Sequence, residues 1–306
     1  MYGIVLAISA LALFPWTPAA AQAAPPDSVT VPMHVVGNRA YVDLTLRAAD
    51  GSERTARFWI DTGGGGFLLS EKLASDLGLE WGKPAGSQGR KLARVREAPE
   101  ASLGDLPLQL DEDRVFVMVG AENLVPEAAP GHADGLLPGH VLRHYHVVFD
   151  YPGGTFTLAR PGVLHPKGEP SPMPVSDPLG FPRTEVRVDG QTYGFLLDTG
   201  ASFTIVSEAI LKRWGGAHPD WPRQEGAAGD ASTLGGRTLE TVTVPSARWD
   251  GQAIEAMGVT SQPEGVFEHR MSRMMTSPII GALGGNVLKR FRVELDYANQ
   301  RLYLSR

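Results

Sequence analysis

The sequence predicts an all-β fold, mainly β with one short helix in each of two similar lobes related by a pseudo-twofold axis. Three observations carry this prediction. A long segment of the chain is repeated, the predicted strands are short and alternate between apolar and polar residues, and a proline-rich stretch separates the two copies.

The repeat has two anchors that occur in the same order in each copy. Residues 58–79 read FWIDTGGGGFLLSEKLASDLGL, and residues 195–215 read FLLDTGASFTIVSEAILKRWG. Downstream, residues 135–158 resemble residues 281–304, ending in DYPGGTFTL and DYANQRLYL. The aspartates are 198 − 61 = 137 positions apart at the first anchor and 296 − 150 = 146 at the second. Two anchors at nearly constant spacing indicate a duplicated unit.

Each copy begins with a predicted strand that leads to the first anchor. Residues 41–47 and 184–188 alternate between apolar and polar side chains, as half-buried strands do. Asp-Gly turns at 50–51 and 189–190 connect them to the next strand, which carries the first anchor. The pattern therefore predicts one hairpin at the start of each lobe.

A short helix is predicted after the strand that follows each DTG sequence. Ser70 and Ser207 stand at N-cap positions before EKLASDLGL and EAILKRW. Each copy then closes with a hairpin, written VVFDY-x4-FTL in the first copy and VELDY-x4-LYL in the second. Each lobe is thus predicted to be mainly β with one modest helix.

The two copies are joined by a stretch with seven prolines between residues 161 and 182. Proline at this density favours an extended, stiff connector and disfavours regular strands. Residues 24–30 are predicted to be flexible. The predicted organisation is a signal peptide at 1–23, a leader at 24–37, an N-terminal lobe at 38–160, a linker at 161–182 and a C-terminal lobe at 183–306.

The N-terminal sequence has the pattern of an export signal. Residues 3–14 form an apolar run that is shorter than the roughly 20 residues needed to span a bilayer. Alanine-rich sequence follows and fits an A-x-A cleavage site, although no Lys or Arg precedes the run. We expect a cleaved signal peptide and a periplasmic or secreted protein. An uncleaved anchor, a buried helix or an intracellular location is the alternative.

Composition excludes several kinds of chemistry. The net charge of -6 argues against a dedicated nucleic-acid surface. The chain has no cysteine, which rules out disulfides, thiolate nucleophiles and cysteine-bound zinc. The glycine run at 63–66 is not a phosphate-binding loop, because no Lys-Ser or Lys-Thr follows it. We therefore expect no cofactor and no nucleic-acid partner.

Asp61 and Asp198 are the candidate catalytic residues. A single Asp-Thr-Gly sequence after an apolar strand is compatible with an ordinary turn. Here both aspartates follow three apolar residues, so each carboxylate ends a buried strand, where its charge is costly unless it is hydrogen-bonded or shares a proton. A pseudo-twofold axis would bring the two together. Such a pair holds one proton and supplies one base, which activates water, and one acid.

The residues beside the aspartates are predicted to support them. Gly63 and Gly200 allow a tight turn whose backbone N–H groups donate to the carboxylate. Thr62 and Thr199 are able to hydrogen-bond across the pseudo-twofold axis and hold the two loops together. These four residues form the predicted catalytic-loop support.

With these motifs the sequence resembles the pepsin and retropepsin superfamily of aspartic proteases. The matching elements are hydrophobic-DTG at 60–63 and 197–200, and the hydrophobic-hydrophobic-Gly element at 135–139 and 279–285. The resemblance covers most of the chain after the leader. It implies a bacterial-type single chain with two fused retropepsin-like lobes. It also implies a monomeric aspartic endopeptidase without a metal, acting on a protein or peptide substrate in extended conformation.

The resemblance also implies a flap, a glycine-containing hairpin that closes over the substrate. The candidate flap residues are Gly86 and Gly89 in the first lobe and Gly229 and Gly235 in the second. Neither residues 86–89 nor residues 226–236 include a tyrosine, so only backbone groups are expected to hold the substrate there. Two ordinary surface hairpins are the alternative.

The residue after the first DTG sequence departs from the family pattern. Gly64 stands where the family usually has Ser, Thr or Ala, whereas Ala201 in the second copy is the retropepsin-like choice. A hydroxyl that would steady the outer carboxylate oxygen is therefore missing from both lobes. Glycines fixed in a strand cost about 0.5–1 kcal/mol each relative to Ala, so the first loop is predicted to be less rigid. This departure motivates the alternative hypothesis of a retropepsin-fold peptide-binding protein with weak or no turnover.

Two further features receive structural interpretations. His144 and His146 would share one face of a strand, but no further ligand stands at a firm spacing, so a metal site is disfavoured. The methionine-rich segment at 271–278 is predicted to serve core packing or a loop in preference to a substrate groove.

Overall fold

The computed structural model describes residues 24–86, 91–125, 129–225 and 240–306. The predicted signal peptide lies outside these ranges. Within them the chain is mainly β with a few short helices, which confirms the predicted fold class. No helix in the described ranges has the length and apolar character needed to cross a membrane.

The first half of the chain contains two α-helices, α1 (Glu71–Asp76) and α2 (Gly139–Leu142), and a 3-10 turn at Glu112–Arg114. Its strands are β1 (Ser28–Pro32), β2 (His34–Val36), β3 (Arg39–Arg47), β4 (Glu53–Asp61), β5 (Phe67–Ser70), β6 (Lys91–Arg94), β7 (Ala101–Leu103), β8 (Leu106–Pro107), β9 (Val115–Val119), β10 (Gly135–Pro138), β11 (His146–Asp150) and β12 (Thr155–Ala159).

The second half contains α3 (Glu208–Ala217), α4 (Gly285–Leu288), a π-helical turn at Val266–Met271 and a 3-10 turn at Ser272–Met274. Its strands are β13 (Ser171–Pro172), β14 (Arg183–Val188), β15 (Gln191–Leu197), β16 (Thr204–Ser207), β17 (Arg223–Glu225), β18 (Glu240–Trp249), β19 (Gln252–Gln262), β20 (Gly281–Leu283), β21 (Arg292–Asp296) and β22 (Arg301–Ser305).

Each half builds its own sheet around the strand that leads to its aspartate. The first sheet has the order β6-β9-β5-β10-β4-β3-β7-β8, with β2 also paired to β3, and the second has the order β14-β15-β20-β16-β19-β18-β17. In the first, β10 lies parallel to β4 and antiparallel to β5. In the second, β20 lies parallel to β15 and antiparallel to β16. Both aspartates therefore sit where an interior strand of a sheet ends.

Glycine permits the inserted strands β10 and β20 to approach their neighbours. A Cβ atom at Gly135 would lie 2.1 Å from the Phe58 ring, and one at Gly281 would lie 2.1 Å from the Ile205 carbonyl oxygen. Any side chain at either position would overlap its neighbour. This explains the glycine that begins GLLPG and GALGG in the two copies.

A third sheet joins the two halves through the closing hairpins that the sequence predicts. Its order is β1-β12-β11-β21-β22-β13, and the junction is the antiparallel pair β11 and β21. Across this junction, Nε2 of His146 lies 2.9 Å from a carboxylate oxygen of Glu294, and both side chains are only 2% exposed. Buried polar groups are stable when they are paired in this way. His146 thus has a structural partner, and no group of three or more His, Asp or Glu in the described residues could hold a metal.

The prediction of a flexible stretch at 24–30 is wrong for its last residues. Strand β1 pairs with β12 residue by residue, from Ser28 opposite Ala159 to Pro32 opposite Thr155. Val29 and Val31 also pack against the core. The alternating pattern spans only five residues, which is too short to predict a strand from local sequence. The partner strand, β12, is more than a hundred positions away in the chain. Tertiary pairing therefore orders this segment.

The proline-rich linker is not extended throughout, contrary to the prediction from its proline density. It turns back on itself at residues 176–181, where the Gly180 N–H donates to the Ser176 carbonyl at 2.8 Å and Val175 pairs with Pro182.

The linker also contains one short strand that proline density argued against. β13 pairs with β22 at the edge of the central sheet, with Ser171 opposite Leu302 and Pro172 opposite Arg301. Proline is tolerated there because an edge strand does not need every N–H group for the ladder. The next residue, Met173, is fully buried and fastens the linker to the core.

The helix caps predicted in the first anchor are confirmed. The Ser70 hydroxyl accepts a hydrogen bond from the Leu73 N–H at 3.1 Å, and the Ser207 hydroxyl accepts one from the Ile210 N–H at 3.3 Å. Both serines therefore cap the short helices that follow them.

The methionine-rich segment packs against a small apolar cluster in the C-terminal lobe, in agreement with the packing interpretation. The cluster comprises Phe181, Leu196, Ile205, Phe267, Ile279 and Ala282.

Candidate active site

Asp61 and Asp198 lie next to each other where the two halves of the chain meet. Asp61 is the last residue of β4, and Asp198 directly follows β15. A Cβ atom at Gly200 would lie 2.4 Å from Cγ of Asp61, and one at Gly63 would lie 3.1 Å from Cγ of Asp198. Each DTG glycine therefore packs against the carboxyl group of the opposite loop, which brings together the residues that the sequence singles out.

Thr62 and Thr199 join the two loops by reciprocal hydrogen bonds. The Thr62 N–H donates to the Thr199 hydroxyl at 3.1 Å, and the Thr199 N–H donates to the Thr62 hydroxyl at 3.0 Å. The Thr62 hydroxyl donates to the Leu197 carbonyl at 2.6 Å, and the Thr199 hydroxyl donates to the Ile60 carbonyl at 2.9 Å. Both side chains are buried, so this network fixes the loops relative to each other.

The two carboxylates accept different numbers of hydrogen bonds from backbone N–H groups. One oxygen of Asp198 accepts from the N–H groups of Gly200 at 2.9 Å and Ala201 at 3.1 Å. One oxygen of Asp61 accepts from the Gly63 N–H at 2.9 Å, whereas the Gly64 N–H donates to the Asp61 carbonyl at 3.0 Å. Because N–H donors stabilise the ionised form, Asp198 is the better site for the negative charge.

The pKa values of the two aspartates follow this asymmetry. Burial raises the pKa of Asp61 well above its ordinary value, and the negative charge of Asp198 and the hydrogen bond between the two carboxyls raise it further. Burial also raises the pKa of Asp198, but its backbone donors and the hydrogen bond from Asp61 oppose that rise. The backbone donors and the directions of the pKa shifts therefore favour the shared proton on Asp61 and the negative charge on Asp198.

This arrangement makes a prediction about stability and pH. Both folded-state pKa values lie above those of unfolded aspartate, about 3.9, so the native state binds more protons than the unfolded state in this window. The dyad's contribution is present in full below the unfolded pKa and is lost as the pH rises through the folded values. We expect an Asp61→Asn/Asp198→Asn variant to lose less stability than the wild type between pH 4 and 7. Parallel denaturant curves across this range would contradict the assignment.

The carboxyls open onto a cavity of about 930 Å³ that both halves of the chain line. The first half contributes mainly apolar side chains, among them Trp59, Leu68, Phe116, Met118 and Leu136, together with the loop at 120–125. The second half contributes the DTG loop and residues that follow it, and Gln262 at the end of β19. A cavity of this size and lining suits a segment of polypeptide with an apolar side chain.

One of the four predicted flap residues can be located. Gly86 follows Ala85, whose N–H donates to the Leu92 carbonyl at 2.8 Å and whose carbonyl accepts from the Leu92 N–H at 2.9 Å. Leu92 lines the cavity, so this antiparallel bridge borders the site. Gly89, Gly229 and Gly235 lie outside the described residues, and their flap role stays a prediction.

The glycine run at 63–66 is packed more closely than its composition indicates. A Cβ atom at Gly64 would lie 3.0 Å from the Leu136 side chain, and one at Gly66 would lie 3.0 Å from the Phe116 ring. At Gly65 the nearest neighbour is the Leu179 side chain at 3.5 Å, an ordinary contact.

Gly65→Ala is therefore expected to stabilise the protein by about 0.4–1 kcal/mol, because it restricts the unfolded chain without a clash. Gly64→Ala is the matched control and is expected to destabilise. Denaturant unfolding of both variants measures the difference. The opposite order would contradict the packing of this loop.

Arg39 is a site residue that the sequence patterns did not indicate. It is the first residue of β3, is 3% exposed and lines the cavity beside both aspartates. An arginine at the start of an alternating strand is normally read as solvent-facing. Only the tertiary structure shows that this end of β3 lies against the second DTG loop.

Comparison with known proteins supports the chemistry of the second half. A family model described as aspartyl protease matches residues 184–287, about one third of the chain. The matched segment contains Asp198 and its DTG loop, while Asp61 lies outside it. A search of curated protein sequences found no match. The family match supports a retropepsin-like aspartic protease and a hydrolase activity, and it does not favour a binding protein without turnover.

Proposed function

We propose that this protein is an aspartic endopeptidase in which Asp61 and Asp198, one from each of two fused retropepsin-like lobes, form a single catalytic dyad. One observation carries the proposal. Two half-buried carboxyls from repeated DTG loops adjoin each other at the wall of a cavity that both halves line, and a network of buried threonines holds the two loops together.

The asymmetry of the dyad supports the following division of roles. Ionised Asp198 takes a proton from a water molecule, whose oxygen attacks the carbonyl carbon of the scissile peptide bond. Asp61 donates its proton to the carbonyl oxygen, which gives a tetrahedral diol. The proton on Asp198 then passes to the amide nitrogen, the carbon–nitrogen bond breaks, and the diol returns a proton to Asp61. The dyad thus ends with the single proton it began with.

The substrate is a protein or peptide in extended conformation. An extended segment is able to pair its backbone with strand β6, which contains Leu92, and with the DTG loops, by strand addition. The apolar lining contributed by the first half favours a large apolar side chain next to the scissile bond. We propose that the protein acts as a monomer, since one chain supplies both aspartates, and that it works in the periplasm or outside the cell. Cell fractionation tests the location.

Digestion of a denatured protein at pH 3 to 8, with mass spectrometry of the products, tests the activity. We expect cleavage in the middle of chains, at apolar residues, with a bell-shaped pH dependence and inhibition by a statine-type transition-state analogue. Absence of cleavage across this range, or cleavage that the inhibitor does not affect, would refute the proposal.

A further inference from the structure

Arg39 is a buried cation that contacts both halves of the candidate active site. Its Nε donates a hydrogen bond to the Gly200 carbonyl at 3.0 Å, two residues beyond Asp198. Its guanidinium carbon lies 4.8 Å from the centroid of the Trp59 ring, two residues before Asp61. Arg39 therefore reaches from β3 of the first half to the catalytic loop of the second.

A buried arginine needs a compensating environment, because removing its charge from water is costly. Stacking on Trp59 and the hydrogen bond to Gly200 supply part of it. Among the residues that the structure describes, the charged and titratable groups that face Arg39 or line its cavity include Asp61 on β4, Asp198 after β15, Tyr41 on β3 and Glu122 on the loop after β9. Glu122 is exposed to solvent, whereas the two aspartates are half-buried, so their charges are less screened than that of Glu122.

We propose that Arg39 is a positioning residue of the peptidase site: it holds the Asp198 loop against the Trp59 strand and acts as counter-ion to the single negative charge of the dyad. This inference rests on the proposed function for its kinetic consequences. The contacts themselves do not depend on turnover.

The charge and the hydrogen bond have separable consequences. The positive charge opposes the effect of burial on the pKa of both aspartates. Without it, both macroscopic pKa values of the dyad rise, and the bell-shaped activity profile moves to higher pH. Without the hydrogen bond to Gly200, the Asp198 loop loses a restraint, so kcat falls while substrate binding in the cavity is retained.

Arg39→Met, Arg39→Gln and Arg39→Lys separate these effects. For Met and Gln, we expect both limbs of the kcat profile to move to higher pH, kcat to fall by about tenfold or more and KM to change by less than about threefold. Lysine keeps the positive charge but not the forked geometry of the guanidinium. Arg39→Lys should therefore have a reduced kcat, with the two limbs of its kcat–pH profile at the wild-type pH.

Arg57→Met is the matched control, since Arg57 lies on neighbouring β4 but pairs with Asp43 at the surface. We expect its profile to match the wild type. If Arg39→Gln had the same kcat–pH profile and the same kcat as the wild type, the proposal would be overturned. A shift of the kcat–pH profile of equal size in Arg57→Met would overturn it as well.

A stability cycle tests the same contact without turnover. Unfolding curves between pH 4 and 7 compare the wild type, Arg39→Gln, Asp61→Asn/Asp198→Asn and the triple variant. We expect Arg39→Gln to lose more stability than the wild type as the pH rises, and this excess to vanish when both aspartates are Asn. Equal excess in both backgrounds would overturn the counter-ion role. An inactive wild type would refute the proposed function alone, and this cycle would still decide the role of Arg39.

Discussion

Replacing Asp198 with Asn is expected to lower kcat for peptide hydrolysis by about 10²–10⁴-fold, the usual contribution of general acid–base catalysis. The amide has nearly the size of the carboxyl group, but it cannot accept the proton of the attacking water. Asp61→Asn should give a loss of similar size, because it removes the proton that the carbonyl oxygen receives. The measurement is kcat on a purified peptide substrate across the pH profile.

Two controls keep this result specific. Asp105→Asn alters an exposed aspartate in the turn between β7 and β8 and should leave kcat unchanged. Circular dichroism and unfolding curves should show that both dyad variants remain folded, since each substitution removes a carboxyl whose ionisation burial disfavours. Full activity in either dyad variant would exclude the two-aspartate mechanism.

Thr62→Val is expected to destabilise the protein by about 2–5 kcal/mol. Valine matches the shape of threonine, but it leaves the buried N–H of Thr199 without its acceptor and the Leu197 carbonyl without its donor. Each buried polar group left unsatisfied costs about 1–3 kcal/mol. Equilibrium unfolding in denaturant measures the change, and activity should fall as well because the two loops lose their common anchor.

The chain offers a matched control in a second threonine pair. The hydroxyls of Thr30 and Thr157 lie 2.8 Å apart between β1 and β12, but at an exposed position. Water is able to replace that bond, so Thr157→Val should change stability by less than about 0.5 kcal/mol. Thr62→Val with Thr199→Val should cost less than the sum of the single changes, because both belong to one network. Equal effects of Thr62→Val and Thr157→Val would contradict the bracing role.

The features that depend on local pattern could be predicted from the amino-acid sequence alone. The duplicated DTG units, the serine caps at Ser70 and Ser207 and the closing hairpins all follow from residue type and short-range periodicity. These signals are readable because caps and hairpins involve residues a few positions apart. The repeat also identified Asp61 and Asp198 as a pair, since duplication gives equivalent residues equivalent places.

How these units meet could not be predicted from local sequence, because it depends on tertiary contacts. The tertiary structure placed β1 in the central sheet, inserted β10 and β20 beside the aspartate strands, and set Arg39 against Gly200. These contacts join segments that are far apart in sequence, so they depend on close packing of specific surfaces. The unequal hydrogen bonding that favours the proton on Asp61 arises in the same way. Two nearly identical motifs acquire different acidities because the packing around their loops differs.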